Sequence, residues 1–120
     1  MRKIYKTPEV ELQYKRIFKE TAKRYGKTVA FETMRQFIDA ENKLANDEAF
    51  SKRDSKYHSE RFEYITIKNS QTLFFERIHD DIVIVAIGWS GRDWKSHLEE
   101  MQPYIDRQVD KIKRLINSKS

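Results

Sequence analysis

His58, His79 and His97 are side chains that change charge near neutral pH, and Arg61, Arg77 and Arg92 carry the planar guanidinium fork that grips phosphate oxygens. Together these types suit metal-free chemistry at a phosphodiester. Attack by a ribose 2'-hydroxyl needs a base for the nucleophile, an acid for the leaving oxygen and cations around the developing phosphorane. His58 or His97 would move the protons, Arg92 would stabilise the charge, and Glu60 and Glu63 are alternative bases. Each also has a plainer reading. His97 precedes apolar Leu98 in a segment of helical character, His58 sits in a polar connector, and Arg92 with Asp93 could simply open a helix. His79, beside Asp80 and Asp81, reads as a surface turn residue, and Trp89 and Trp94 read as core or interface anchors rather than base-stacking platforms.

A second group lies upstream. Lys52, Arg53, Lys56, Tyr57, His58 and Arg61 interleave an aromatic ring with cations, which suits contact with an RNA backbone and stacking on a base; a solvated basic loop fits equally well. The chain has a net charge of +5 in 120 residues, which points to a polyanionic partner, nucleic acid or an acidic protein. With 36% of residues charged in both signs, a merely basic protein is the bland alternative. Cysteine is absent, so disulfides, thiolate metal sites and a thiol nucleophile are excluded. No P-loop, dinucleotide fingerprint or paired-histidine metal motif occurs, so we expect neither a metal nor a cofactor. No stretch approaches the roughly 20 apolar residues of a membrane span and the N-terminus lacks a signal-peptide core, so we expect a cytoplasmic protein without membrane contact.

Residues 62–94 must position these groups. The unbroken run 82–87 (IVIVAI) suits a central strand buried on both faces, with 62–69 and 72–78 as half-buried neighbours. Asn69-Ser70-Gln71 and the Asp80-Asp81 pair supply short turns, which force an antiparallel meander. Upstream, residues 2–6 read as a brief edge strand, and Thr7-Pro8-Glu9 as a capped helix start. Val10, Tyr14, Ile17, Phe18, Thr21 and Tyr25 form one stripe, with Gly26 ending the helix in the left-handed conformation. A second helix over 28–49 would bury Ala30, Met34, Phe37, Ile38, Leu44 and Ala45. Residues 92–101 read as helical, with Pro103 interrupting or restarting the helix. Ile105, Val109, Ile112 and Ile116 make a final stripe that must be buried, on the chain's own sheet by preference or in a homodimer. The class is α+β: an N-terminal strand, an antiparallel helical hairpin on a three- to four-stranded, mainly antiparallel sheet, and a C-terminal helix. Residues 1–120 form one domain, with 103–120 as a helical extension.

This order resembles the RelE/ParE superfamily of toxins from type II toxin–antitoxin modules. IYKTPEVELQYKRI looks like its opening strand and (S/T)PE helix start, and LFFERIHDDIVIVAIG like its third and fourth strands. GRDW followed by His97-Leu98 is similar to the ending of ParE-like members. The resemblance implies a basic toxin held inactive by a cognate antitoxin. It implies either a ribosome-dependent mRNA endoribonuclease, the RelE-like branch and our leading expectation, or a ParE-like inhibitor of DNA gyrase. A non-catalytic phage or plasmid accessory protein binding protein or nucleic acid is the reading from another class. In the nuclease reading Arg92, His97 and His58 do the chemistry, while Arg61, Lys56, Tyr57, Arg77, Lys52 and Arg53 hold RNA. RelE-like nucleases place an arginine within the third strand, where this chain has Leu73 and Phe74, with Arg77 at the strand's far end.

Overall fold

The computed structural model describes residues 2–46, 62–67, 71–89 and 94–118. In chain order these form β1 (Ile4–Lys6), α1 (Pro8–Tyr25), α2 (Lys27–Ala45), β2 (Glu63–Ile67), β3 (Gln71–Ile78), β4 (Asp81–Trp89) and α3 (Trp94–Ser118). The sheet order is β1-β4-β3-β2, with β1 parallel to β4 and the other pairs antiparallel. The expected meander and the interior position of residues 82–87 are therefore present, and the class is α+β.

β4 is hydrogen-bonded on both sides because β1 adds beside it, Ile4 facing Ile82 and Lys6 facing Ile84. Its side chains feed two cores. Ile82, Ile84 and Ile87 point to the helical hairpin, where they meet Val10, Phe37, Leu44, Leu73 and Phe75. Val83 and Val85 point to the other face, where Tyr64, Phe74, Leu98, Ile105, Val109, Ile112 and Ile116 cover them. The C-terminal stripe thus closes on the chain's own sheet. A register shift sits opposite Phe74 and Phe75, which pair with Ala86 and Ile84. This β-bulge leaves Val85 as the extra residue, so Val85 and Ala86 both serve the α3 face before Ile87 returns to the hairpin face.

Thr7 caps α1 as its sequence predicts: extended at φ −64°, it accepts a hydrogen bond from the Val10 amide, and Pro8 starts the helix. Gly26 alone joins α1 to α2. Its φ of 93° and ψ of 165° lie outside the expected left-handed helical region, in extended positive-φ space that is essentially glycine-only. A Cβ there would meet nothing, so the requirement is backbone conformation rather than room.

Further details depart from expectation. α2 starts at Lys27 and ends at Ala45, short of 49; residues 47–49 lie outside the described residues. Ile38 and Tyr25 are exposed because each lies off its helix's buried line, and Ala40 is buried instead beside Phe37 and Leu44. The β3–β4 turn uses His79 and Asp80, while Asp81 already pairs with Ile78 and its carboxylate accepts from the Lys3 amide. His79 takes a φ of 55°, the positive value that tight hairpin turns require at their first position. Gln71 likewise belongs to β3 rather than to the preceding turn.

Pro103 neither interrupts nor restarts α3, which runs unbroken for 25 residues. Pro103 and Glu99, whose carbonyl loses its donor, are both exposed, so water can satisfy the orphan group. Trp94, Leu98, Ile105, Val109, Ile112 and Ile116 lie buried along one side of the helix. Burying each aliphatic side chain is worth about 1.5–3 kcal/mol, and together they outweigh the roughly 3 kcal/mol cost of an internal proline.

The two phenylalanines of α2 provide a check on this packing. Phe37 is 0% exposed and Phe31 63%. Phe37→Ala should therefore cost about 3–5 kcal/mol in urea unfolding, whereas Phe31→Ala should stay within about 1 kcal/mol. Equal costs would contradict the assigned burial.

Candidate functional site

Of the sequence candidates, Lys52, Arg53, Lys56, Tyr57, His58, Glu60, Arg61 and Arg92 fall outside the described residues. Arg77 and His97 fall within them and do not meet. Arg77 is opposite Ile82 at the start of β4, on the hairpin face; His97 follows Trp94 in the first turn of α3, beyond the end of β4. The six residue-to-residue steps from 82 to 88 alone span roughly 20 Å. Arg77 donates from Nε to the Glu63 carboxylate at 2.8 Å, and its guanidinium carbon lies 5.7 Å from the centre of the Phe75 ring. Glu63 is thus already engaged as an acceptor. Leu73 and Phe74, mid-strand in β3, are fully buried, one on each face of the sheet.

His97 is built into a cavity of about 250 Å³ at the seam of three elements. Glu9 and Gln13 line it from α1, Val85, Ala86 and Ile87 from β4, and Trp94, Leu98, Met101 and Ile105 from α3. The bulge supplies this floor by turning both Val85 and Ala86 toward α3. Gly88 lets α3 come close enough: a Cβ there would lie 2.7 Å from the Trp94 ring and 2.8 Å from Phe74. Trp94 in turn holds His97 edge-on, with ring centres 5.0 Å apart. The Gln108 side-chain oxygen accepts from the Glu9 amide at 3.0 Å, tying α3 to the start of α1. The Gln13 side-chain oxygen is buried without a hydrogen-bond partner among the described residues.

A second concavity, of about 680 Å³, opens on the hairpin and is lined by Leu12, Tyr14, Lys15, Arg16, Phe18, Lys19 and Met34. Its floor is apolar and its rim cationic. Lys15 and Lys19 follow from four-residue spacing on α1, and Phe18 packs edge-on against exposed Phe31 of α2. Beneath it, Glu41 of α2 accepts from the Tyr14 hydroxyl at 2.8 Å and from Lys6 Nζ at 3.0 Å. Burial, then the nearby Glu41 charge and its hydrogen bond, push the Tyr14 hydroxyl far above its ordinary pKa. Tyr14 is therefore a fixed donor, and the network ties β1, α1 and α2 together under the groove.

Neither concavity was evident from sequence. Glu9 reads as a helix-start acid and Gln13 carries no motif; only the fold brings them to His97. The cationic spacing on α1 was legible, but the groove beside it requires α2. Among the described residues no cluster of three or more His, Asp or Glu could hold a metal ion, and no helix is long and apolar enough to cross a membrane.

No family model and no curated protein matches the sequence. Among solved structures, the chain is similar to one described as the chromosomal ParDE TA system from P. aeruginosa. The TM-score is 0.63 at 12% identity, covering 76% of this chain and 98% of that one. At that identity the likeness is one of fold, and at that level it agrees with the resemblance read from the sequence.

The Gly88 contact makes the site testable. Gly88→Ala must displace Trp94 or Phe74, and overpacking of this kind costs about 1–3 kcal/mol. We expect that loss in denaturant unfolding, together with a changed Trp fluorescence spectrum. An unaltered spectrum and midpoint would contradict the close packing of Trp94 on β4.

Proposed function

We propose that this chain is the toxin of a type II toxin–antitoxin module, acting in the cytoplasm and held inactive by an antitoxin that lays an acidic amphipathic helix in the hairpin groove. The observation that carries the reading is a fold shared with nearly the whole of a ParDE-system chain. An apolar groove rimmed by Lys15, Arg16 and Lys19 supports it, because such a surface suits the apolar face of a helix with carboxylates along its flanks.

For the target, the arrangement favours the ParE-like branch, in which the toxin binds DNA gyrase. The strand arginine of RelE-like nucleases is replaced by buried Leu73 and Phe74, Arg77 is far from His97, and both sheet faces carry helices of the chain itself. The second reading, a metal-independent, ribosome-dependent mRNA endoribonuclease, draws on His97 at the rim of a cavity. There His97 would transfer the proton with His58, Arg92 would stabilise the phosphorane, and Arg61, Lys56, Tyr57, Lys52 and Arg53 would hold RNA.

Regulated expression in a bacterial host separates these readings. The expected result is growth arrest with DNA breaks and no new transcript ends, unchanged in His97→Ala. If the chain is a nuclease, new ribosome-dependent ends appear, Arg92→Ala lowers their rate by about 100 to 1000-fold, and His97→Ala also reduces them. A folded protein without toxicity would overturn both.

For the antitoxin surface, Lys15→Glu combined with Lys19→Glu should abolish neutralisation by an acidic partner while leaving the urea midpoint within about 1 kcal/mol, since both residues are exposed. Neutralisation that survives this reversal would place the antitoxin elsewhere.

A further inference from the structure

The chain's positive charge is gathered in one place. Residues 15–27 hold Lys15, Arg16, Lys19, Lys23, Arg24 and Lys27 against a single carboxylate, Glu20, a local charge of +5. That equals the net charge of the whole chain, so the remaining residues carry cations and carboxylates in equal number. We propose that this ridge, which runs along α1 and over the hairpin tip to Lys27, binds the phosphate backbone of double-stranded DNA without regard to sequence. The proposal goes beyond the toxin reading and does not depend on it.

All six cations are exposed, and none forms an ion pair with a described residue. Helical geometry sets Lys19 and Lys23 near the middle of the solvent face of α1, with Lys15 and Arg16 to either side. Fold stability does not call for this arrangement. Lys15, Lys19 and Lys23 are like charges at four-residue spacing, which weakens a helix. Lys23 and Arg24 complement the C-terminal end of the α1 dipole, but Lys27 stands in the first turn of α2, where a cation opposes the dipole.

The surroundings of the ridge select among polyanions. A helix lying on a membrane turns its apolar side to lipid, whereas that side of α1 is packed into the chain's own core through Val10, Tyr14 and Ile17. An acidic protein would be anchored by apolar contacts; those lie in the hairpin groove, which Lys23, Arg24 and Lys27 do not line. Single strands bind by stacking bases on successive aromatic rings, and Tyr25 is the one exposed aromatic within 15–27. Its hydroxyl can instead donate to a phosphate. A convex rod of cations suits a duplex, which carries one negative charge per roughly 1.7 Å of its axis. The B-form major groove, about 12 Å wide, lets the ridge reach the strands on both sides, while the A-form groove of RNA is too deep and narrow.

The test is fluorescence anisotropy of the purified full chain with labelled DNA duplexes of about 20 base pairs, in two unrelated sequences, over about 50 to 200 mM KCl. Both sequences should bind alike, with an affinity that falls steeply as salt rises. Each phosphate contact contributes about 0.9 to the log–log salt slope, so Lys23→Ala and Lys27→Ala should each make it shallower by about that amount. Lys111→Ala, which removes an exposed cation of α3, should leave the slope unchanged. Urea midpoints check that each variant stays folded. Neither Lys23 nor Lys27 lines the hairpin groove, so neutralisation by an antitoxin is untouched and its failure is separable from failure here. The comparison probes are an RNA duplex and single-stranded DNA of the same length, poly-glutamate and phosphatidylserine vesicles. Binding of any of these as tightly as the DNA duplex, a slope that Lys23→Ala and Lys27→Ala leave unaltered, an equal loss with Lys111→Ala, or no binding at the lowest salt would each overturn the proposal.

Discussion

Over residues 82–84, β4 is buried on both faces and paired on both edges, and such a stretch admits no polar side chain and no unpaired backbone group. Its neighbours follow from that constraint. β1 must pair with its outer edge, and Arg2 and Lys3 reinforce the joint through Asp80 and Asp81. One amphipathic layer must then cover each face: the α1–α2 hairpin over Ile82, Ile84 and Ile87, and α3 over Val83 and Val85. Once both faces are closed, surfaces for partners must come from the outside of the hairpin and from the seams between layers. Those are the places where the two concavities lie.

How much of this was legible depends on whether a signal was local. The Ile/Val run, the Thr7-Pro8 start and the spacing of Ile105, Val109, Ile112 and Ile116 are local, and each predicted its element. The bulge was invisible because Val85, Ala86 and Ile87 are all apolar; sliding the register changes which face each serves without breaking any pattern. Pro103 reads as a break because its helix-breaking tendency is also local, while the burial that overrides it is tertiary. Ile38 reads as core by type, yet lies one helical step round from Phe37. His97 stood out as a histidine, but its neighbours Glu9 and Gln13 lie more than 80 positions away in sequence.

The two concavities differ in kind. The hairpin groove is broad, apolar and edged with positive charge, which suits a protein partner whose encounter is steered by salt-sensitive attraction. Under it, Tyr14 and Lys6 both donate to Glu41, so the groove rests on a satisfied hydrogen-bond network that joins β1, α1 and α2. The cavity by His97 is small and mostly apolar, enclosed between α1, β4 and α3.

The central claim is that α3 belongs to the folded sheet and is not an arm resting on it. If α3 lifted readily, the sheet face that carries Val83, Val85 and Phe74 would be open to solvent. Native-state hydrogen exchange measures this directly, by comparing amides at 105–116 of α3 with those of β4. The account predicts that both exchange only through global unfolding, with the same opening free energy and the same denaturant dependence. Amides of α3 exchanging through a local opening several kcal/mol cheaper, while β4 stays protected, would contradict it.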